Sequence, residues 1–211
     1  MHDPHANMTV VQAGHDPKGA RCAVILLHGR GSSAEDILEL AETFYEERIA
    51  FLAPQAANHS WYPYSFLAPT EQNEPWLTSA IARVESLIQN CVVAGIQRSN
   101  VVVCGFSQGA CLATESIARC PAHYGALIAF TGGLVGPSDS ELQHEGSLAG
   151  TRALLSSGDP DPHVPWSRVE ASARELERMG ARVELMRHTG RPHTIVDKEL
   201  EVARTMIFSL F

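Results

Sequence analysis

Residues 101–110 carry the clearest chemical signal in this sequence: four apolar residues run into the pattern Gly-x-Ser-x-Gly, and small residues follow. Between a strand and a helix, this pattern forms a sharp turn that presents a serine hydroxyl as a nucleophile. Gly105 and Gly109 suit such a turn because it brings backbone close to backbone, where a Cβ atom would collide. We therefore predict that Ser107 is a nucleophile and that the amide of Gln108, at a helix N-terminus, stabilises a developing negative charge. The competing interpretation is a serine that only caps the helix.

A serine nucleophile requires two further side chains: a base that takes its proton, and a carboxylate that fixes the tautomer of that base. The order Ser, Asp, His along the chain is the one expected for this kind of turn. His193 is the predicted base because it lies on a loop before the final helix, whereas His188 is close enough to the last strand to belong to it. For the acid, Asp159 and Asp161 lie on one loop, and their spacing does not separate them.

The glycine-rich residues 28–31 lie between another predicted strand and helix, where the backbone N–H of Arg30 can supply a second donor to an oxyanion. The alternative is a plain glycine-rich turn. We expect His28 to orient its neighbours or to fill the core rather than to act as a second base. The Arg30 side chain has three candidate roles: an ion pair with a carboxylate, attraction of a substrate with a negative group, or simple exposure to solvent. The carboxylates considered are Glu35, Glu71 and Glu74.

Residues 58–73 form an aromatic segment without clear periodicity, longer than a plain connection needs. Its large side chains, together with one that follows shortly after, form a candidate substrate wall: Trp61, Tyr62, Tyr64, Phe66 and Trp76. Ordinary core filling is an equally good interpretation, because large aromatic residues dominate cores.

Apolar runs and helical spacing alternate along the chain, and this alternation must position the reactive side chains. The predicted strands cover residues 9–12, 23–27, 48–52, 101–104, 126–130, 152–156 and 183–186, and the predicted helices residues 34–45, 75–94, 110–119, 165–179 and 195–210. The pattern predicts an α/β fold with a mostly parallel sheet covered by helices on both faces. In such a sheet, functional residues collect in loops at the carboxyl ends of strands. We expect a single domain over residues 1–211, with residues 1–8 as a loose N-terminal tail.

Composition excludes several classes of partner. The net charge is −8 without a basic block, so nucleic acid and anionic membranes are unexpected partners. The N-terminal residues lack the features of a signal peptide, and no apolar run approaches a membrane span. The cysteine count is five, without a Cys-x-x-Cys pair or a zinc spacing, so we expect a reduced, cytoplasmic protein with no metal and no cofactor. A small-molecule substrate and a homodimer are the partners considered.

Several motifs together resemble the phospholipase/carboxylesterase family of α/β-hydrolases, which includes acyl-protein thioesterases. They are Leu27-His28-Gly29-Arg30-Gly31, Ala53-Pro54, Trp61-Tyr62, Gly105-Phe106-Ser107-Gln108-Gly109, Gly158-Asp159-Pro160-Asp161-Pro162-His163-Val164-Pro165 and Gly190-Arg191-Pro192-His193. The resemblance implies the α/β-hydrolase fold over nearly the whole chain after Arg21. It also implies that the second aspartate of its loop, Asp161, is the acid, that Arg30 and Gln108 supply the oxyanion amides, and that Val164 lies at the substrate site.

The resemblance implies a serine carboxylesterase that hydrolyses small acyl esters through an acyl-enzyme. Arg30 and Ser32 stand where the family's thioesterases usually carry leucine and aspartate, so a general carboxylesterase is expected ahead of a dedicated protein deacylase. Acyl-protein thioesterase or lysophospholipase activity is the alternative. Dienelactone hydrolase-type and dehalogenase-type enzymes typically have cysteine or aspartate at this turn, which Ser107 argues against. A non-catalytic binding protein of the same fold is the remaining reading.

Overall fold

A seven-stranded sheet lies at the centre of the computed structural model, which describes residues 3–137 and 141–211. The strands are β1 (Val10–Gly14), β2 (Cys22–Leu27), β3 (Ile49–Pro54), β4 (Val101–Phe106), β5 (Ala126–Phe130), β6 (Arg152–Asp159) and β7 (Arg182–Thr189). Their spatial order is β1-β3-β2-β4-β5-β6-β7. Only β1 runs antiparallel to its neighbour, and every other pair is parallel.

Helices cover both faces of this sheet. They are α1 (Ala34–Leu38), α2 (Leu40–Thr43), α3 (Trp76–Val93), α4 (Gln108–Arg119), α5 (Trp166–Arg178) and α6 (Asp197–Phe208). Apolar residues of α3, α4 and α5 join one core, and those of α1, α2 and α6 join a second core on the opposite face. The predicted architecture of a mostly parallel sheet between two helical layers is confirmed.

The position of strand β2 between two cores explains why its sequence is apolar throughout. Ala23, Ile25 and Leu27 belong to one core, whereas the alternate residues Cys22, Val24 and Leu26 belong to the other. All six are fully buried. A strand that is buried on both faces leaves no position for a polar side chain, because successive residues point to opposite faces.

The order of the strands creates a crevice beside β2. From β2 the chain crosses to β3 on one side and then returns past β2 to β4 on the other. The loops that leave the carboxyl ends of β2 and β4 therefore run in opposite directions, and a crevice opens between them. These are the loops that carry Arg30 and Ser107.

Some element boundaries differ from those predicted. The single helix expected over residues 34–45 is two short helices, α1 and α2, and Ser33 caps the first through a reciprocal pair of hydrogen bonds with Asp36. Strands β6 and β7 are longer than predicted because their parallel pairing continues as far as Asp159 opposite Thr189. His188 is consequently a strand residue. Residues 136–150 are polar and are predicted to form a surface connection, of which residues 138–140 lie outside the described residues.

The N-terminal segment is not the loose tail that we expected, as far as residues 3–8 are concerned. His5 is fully buried and its ring lies against the rings of Trp61 and Trp76, at 5.5 Å between centroids in both cases. The His5 amide donates to the Ser79 hydroxyl, and the Arg83 guanidinium donates to the carbonyl of Met8. Residues 1 and 2 lie outside the described part of the chain.

Candidate active site

The turn after β4 holds Ser107 in a conformation that few residues adopt. Its φ is +55° and its ψ is −119°, outside the regions favoured by residues with a side chain. A Cβ atom on Gly105 would lie 2.3 Å from the Gly109 carbonyl oxygen, and one on Gly109 would lie 2.0 Å from that of Leu27. The two glycines are therefore required by close backbone contacts, as predicted. The Ser107 hydroxyl makes no capping hydrogen bond to α4, which argues against the capping interpretation.

Ser107, His193 and Asp161 form a continuous chain of hydrogen bonds. The Ser107 Oγ lies 2.9 Å from the His193 Nε2, and the His193 Nδ1 lies 2.8 Å from an Asp161 carboxylate oxygen. A carboxylate can only accept, so the proton sits on Nδ1 and leaves Nε2 as the acceptor for the serine hydroxyl. The order of the three contacts is the one that a serine nucleophile needs.

The Asp161 carboxylate is held in its ionised form by its surroundings. Its other oxygen accepts hydrogen bonds of 2.9 Å from the amides of His163 and Val164. Burial opposes ionisation, but the hydrogen bonds from His193 and from these two amides outweigh it, and the pKa of the Asp161 carboxyl lies below its usual range. The group therefore stays negative beside His193 at neutral pH.

The two competing residues, Asp159 and His188, have different partners. The Asp159 carboxylate pairs with the Arg187 guanidinium, whose Nε lies 2.7 Å away. The His188 ring lies on β7, with its Nε2 3.7 Å from a carboxylate oxygen of Glu199. Neither contacts the Ser107 hydroxyl. The structure thus places Asp161, the acid that the family resemblance implies, in contact with His193. Asp159, two residues before it, does not contact His193.

The predicted oxyanion donors flank Ser107. The Gln108 amide is the first of helix α4, where an N–H has no acceptor within the helix. Arg30 follows Gly29, and a Cβ atom on Gly29 would lie 3.6 Å from the Ser107 Cβ, so this loop runs directly beside the serine. Among the described residues, neither amide donates to a protein acceptor. That both amides donate to an oxyanion stays a prediction.

A cavity of about 560 Å³ opens in front of Ser107 and His193. Four of the residues predicted at the substrate site, Tyr62, Tyr64, Phe66 and Val164, line it. Cys111 lines it too, but burial raises the pKa of its thiol to about 12, so the thiol does not compete with the serine as a nucleophile at neutral pH. A second cavity, of about 750 Å³, lies between residues 141–145 and α5 and contains none of the predicted site residues.

The prediction that Trp61 belongs to the substrate wall is wrong. Trp61 does not line the cavity, and its side chain is fully buried. Its indole N–H donates to the His28 carbonyl at 2.8 Å, and its ring lies against those of His5 and His28. Trp76 is not at the cavity either. Trp61 fills the core and the partly buried Trp76 packs against it, the alternative considered above.

The aromatic segment is fixed to the site by polar side chains whose structural role the sequence did not reveal. The Gln108 side chain accepts from the Trp61 amide at 3.0 Å and donates to the Tyr62 carbonyl at 2.8 Å. The Arg30 guanidinium donates to the Ser60 hydroxyl and to the carbonyls of Pro63 and Tyr64, at 3.1, 2.8 and 2.6 Å. The same two residues whose amides flank Ser107 therefore also hold the cavity wall.

Of the three roles considered for the Arg30 side chain, the ion pair with Glu35, Glu71 or Glu74 is not formed. Within the described residues, Arg30 has no carboxylate within 4.0 Å and contacts uncharged acceptors instead. The Glu74 carboxylate is directed at Arg119, 4.0 Å away, and at the Thr78 amide. The guanidinium is drawn to the carbonyls of the aromatic segment because these are the acceptors within its reach.

A buried ion pair holds the loop that carries His193. The Arg191 guanidinium donates to the Glu199 carboxylate at 2.5 Å and to the Thr131 hydroxyl at 2.6 Å. Glu199 is fully buried in the first turn of α6, where its carboxylate also accepts from the Val196 amide. The pair thus joins the loop to both α6 and the end of β5. It was not predicted, because the ion pair becomes apparent only when the loop is folded back on the helix.

The mostly parallel sheet with a strained serine at the turn after β4 defines an α/β-hydrolase. The chain belongs to the phospholipase/carboxylesterase family, whose profile matches residues 6–210. It is a carboxylic ester hydrolase, as the sequence predicted. Among the described residues, none of the helices combines the length and the apolar character needed to cross a membrane.

Curated relatives and solved structures agree with this assignment. A probable carboxylesterase of Oryza sativa subsp. japonica is 28% identical over 202 residues, which cover 87% of this chain and 86% of the relative. An acyl-protein thioesterase 1 of Yarrowia lipolytica is 26% identical over 155 residues, which cover 65% and 68%. The crystal structure of a phospholipase/carboxylesterase from Dyadobacter fermentans superposes with a TM-score of 0.91 at 42% identity and covers 96% of this chain and 97% of that one.

Proposed function

We propose that this protein is a serine carboxylesterase that hydrolyses small acyl esters through a covalent acyl-enzyme on Ser107. The observation that carries the proposal is the hydrogen-bond chain from the Ser107 hydroxyl through His193 to Asp161, with contacts of 2.9 and 2.8 Å. A serine hydroxyl is a weak nucleophile unless a positioned base takes its proton, and this chain supplies that base.

The first half of the proposed reaction forms the acyl-enzyme. The Ser107 Oγ attacks the ester carbonyl carbon while its proton moves to the His193 Nε2, and Asp161 stabilises the resulting imidazolium. The amides of Arg30 and Gln108 donate to the oxyanion of the tetrahedral intermediate. The bond to the leaving alkoxide then breaks, and His193 returns the proton to that oxygen, so the alcohol departs and the acyl group stays on Ser107.

The second half of the reaction repeats these steps with water. His193 takes a proton from a water molecule as its oxygen attacks the acyl carbon, and the same two amides stabilise the oxyanion. Collapse of the intermediate breaks the bond to Ser107, whose oxygen recovers the proton from His193. The carboxylic acid is released, and no cofactor is required by this sequence of steps.

The residues that line the cavity support the proposal that the substrate carries a small acyl group. Tyr62, Phe66, Cys111 and Val164 provide apolar surface beside the serine, within a total volume of about 560 Å³. We assign these residues to substrate binding.

A thioesterase activity is the second candidate, because one of the matched relatives bears the name acyl-protein thioesterase. The same attack by Ser107 would release a thiol in place of an alcohol. A pair of substrates with the same acyl group, 4-nitrophenyl butyrate and butyryl-coenzyme A, distinguishes the two activities by their kcat/KM values.

Hydrolysis of 4-nitrophenyl butyrate by wild type and by Ser107→Ala tests the proposal. We expect kcat to fall by about 10⁴-fold or more, because the members of such a triad act as a unit. A fluorophosphonate probe should label Ser107 alone, as read by peptide mass spectrometry, and should leave the folded Ser107→Ala variant unlabelled. Turnover near the wild-type rate in that variant, or labelling at another residue, would overturn the mechanism.

The cytoplasmic location, the homodimer and the absence of a nucleic-acid partner stay predictions.

A further inference from the structure

Arg30 sets the charge of the cavity in front of Ser107. Among the described residues that line this cavity, Arg30 is the only one with a permanent charge, and no aspartate, glutamate or lysine is included. The chain as a whole carries a net charge of −8, so a positive cavity is a local exception. A cavity whose walls carry one sign of charge attracts ligands of the opposite sign.

The charge of Arg30 is held in place but not neutralised. Its three hydrogen bonds go to a hydroxyl and two carbonyl oxygens, which are uncharged. Other arginines of the described chain are paired with carboxylates, as in Arg98–Glu85, Arg187–Asp159 and Arg191–Glu199. Arg30 is therefore a preorganised cation whose counter-ion is not supplied by the described residues.

The guanidinium keeps donors for a ligand. It has five N–H groups, of which the contacts to Ser60, Pro63 and Tyr64 use two on Nη1 and one on Nη2. The Nε–H makes no hydrogen bond among the described residues, and Nη2 carries a second N–H beside the one that contacts Tyr64. Paired N–H groups of an arginine bind carboxylate and phosphate oxygens side by side.

We propose that Arg30 selects esters that carry an anionic group, a carboxylate or a phosphate, close to the scissile bond. This inference rests on the proposed function, because the amide of the same residue is assigned to the oxyanion. The distance between the anionic group and the reacting carbonyl is therefore expected to be about the length of one arginine side chain. Arg30 is assigned as a specificity-determining residue, and its guanidinium takes no part in the bond-breaking steps.

Selectivity between matched esters tests this proposal. The first pair is mono-4-nitrophenyl adipate and 4-nitrophenyl hexanoate, which places the charge on the acyl side. The second pair is 4-acetoxybenzoate and 4-acetoxybenzamide, which places it on the alcohol side. For each pair the measured quantity is the ratio of kcat/KM for the anionic ester to kcat/KM for the neutral ester, with the Ser107→Ala variant as the blank.

In Arg30→Gln we expect this ratio to fall about fivefold for at least one pair, because an ion pair at an exposed wall is a modest interaction. The ratio in wild type should fall towards the variant's value in 1 M NaCl, which screens the attraction. Loosening of the aromatic segment in Arg30→Gln changes both esters of a pair alike and cancels in the ratio. The matched control is Arg204→Gln, which removes an exposed arginine on α6 outside this cavity and should leave both ratios unchanged.

Ratios that are the same in wild type and Arg30→Gln for both pairs would overturn the anion proposal. So would an equal fall in Arg204→Gln, since the effect would then belong to the net charge of the protein. Failure of the proposed function looks different: wild type would then hydrolyse none of the four esters above the Ser107→Ala blank.

Discussion

At the scale of single residues, two aspartates on one loop have separate roles. Asp161 accepts from His193 and from two backbone amides, whereas Asp159 ends strand β6 and pairs with Arg187 near the surface. The first set of contacts fixes the orientation of an imidazole. The second is an exposed ion pair, which contributes little to stability.

We therefore expect Asp161→Asn to lower kcat for 4-nitrophenyl butyrate by about 10³-fold or more, because an amide that donates to His193 holds the wrong tautomer. Asp159→Asn is the matched control, two residues away, and should stay within about threefold of wild type, as expected for loss of one exposed ion pair. Thermal unfolding should confirm that both variants are folded. A greater loss in Asp159→Asn would assign the acid to the other residue.

At the scale of elements, the loop that bears His193 depends on the buried pair of Arg191 and Glu199. Replacement of Glu199 by glutamine leaves the Arg191 charge buried without an opposite charge. This costs more stability than the replacement of both charged residues by apolar ones. We expect Glu199→Gln to lower the free energy of unfolding in urea by about 3 kcal/mol, the cost usual for breaking a buried pair. Esterase activity per folded molecule should fall as well, since Arg191 lies two residues before His193.

The exposed Glu201 on the same helix provides the comparison. Glu201→Gln should change the free energy of unfolding by no more than about 0.5 kcal/mol, as is usual for surface positions. Equal stability of the two variants would show that the pair does not hold this loop.

The residues just before the aromatic segment are held by two neutral histidines. The His5 Nδ1 accepts from the Ala57 amide, and the His28 Nε2 accepts from the Ala56 amide, at 3.1 Å in both cases. Burial is the largest influence on both rings and lowers the pKa of each. A proton on either acceptor nitrogen would face a backbone N–H and break the contact.

The pH dependence of stability follows from these shifts. Between about pH 7 and pH 5 the unfolded chain takes up protons on these histidines before the folded chain does, so the free energy of unfolding falls as the pH falls. Urea unfolding of His5→Gln should show a shallower fall over this range than wild type, and a lower stability at pH 7. The exposed His15 serves as control, and His15→Gln should keep the wild-type slope.

His144 contributes with the opposite sign, so the comparison between variants matters more than the total slope. The buried Glu115 carboxylate, 3.7 Å from the His144 Nε2, raises the pKa of His144, and this ionic contact is strengthened as the pH falls. Identical slopes in wild type and His5→Gln would contradict the assignment of a neutral His5.

The sequence predicted those features that depend on local pattern. The alternation of strands and helices, the turn at Ser107 and the place of His193 after the last strand all follow from short-range order. The contacts of His5 do not, because they join residues 52 and 56 positions apart, and no periodicity marks the segment before β1. Trp61 was assigned to the cavity for a related reason: composition gives a ring's size but not the side of the segment that it faces.

At the scale of the whole molecule, one sheet separates two cores. All three tryptophans lie in or against the core shared by α3, α4 and α5. Cys22 and Cys104 are fully buried in the core on the other face. Tryptophan fluorescence therefore reports on one core, and the reactivity of Cys22 and Cys104 reports on the other.

We expect both faces to unfold together in urea, because each strand of the central sheet contributes side chains to both cores. The midpoint measured by tryptophan fluorescence should coincide with the midpoint at which Cys22 and Cys104 become reactive to a thiol reagent, read peptide by peptide. Separate midpoints would show that the predicted single domain consists of two cooperative units.

The long reach of these contacts has a consequence for synthesis on the ribosome. Ser107 and the proposed base, His193, are 86 positions apart, so His193 is synthesised long after Ser107. A nascent chain therefore carries a complete nucleophile turn long before it can carry out a turnover. Premature termination anywhere before residue 193 yields a fragment without its base. Esterase activity in a translation reaction consequently reports the amount of chain extended past that position, rather than the total amount of polypeptide made.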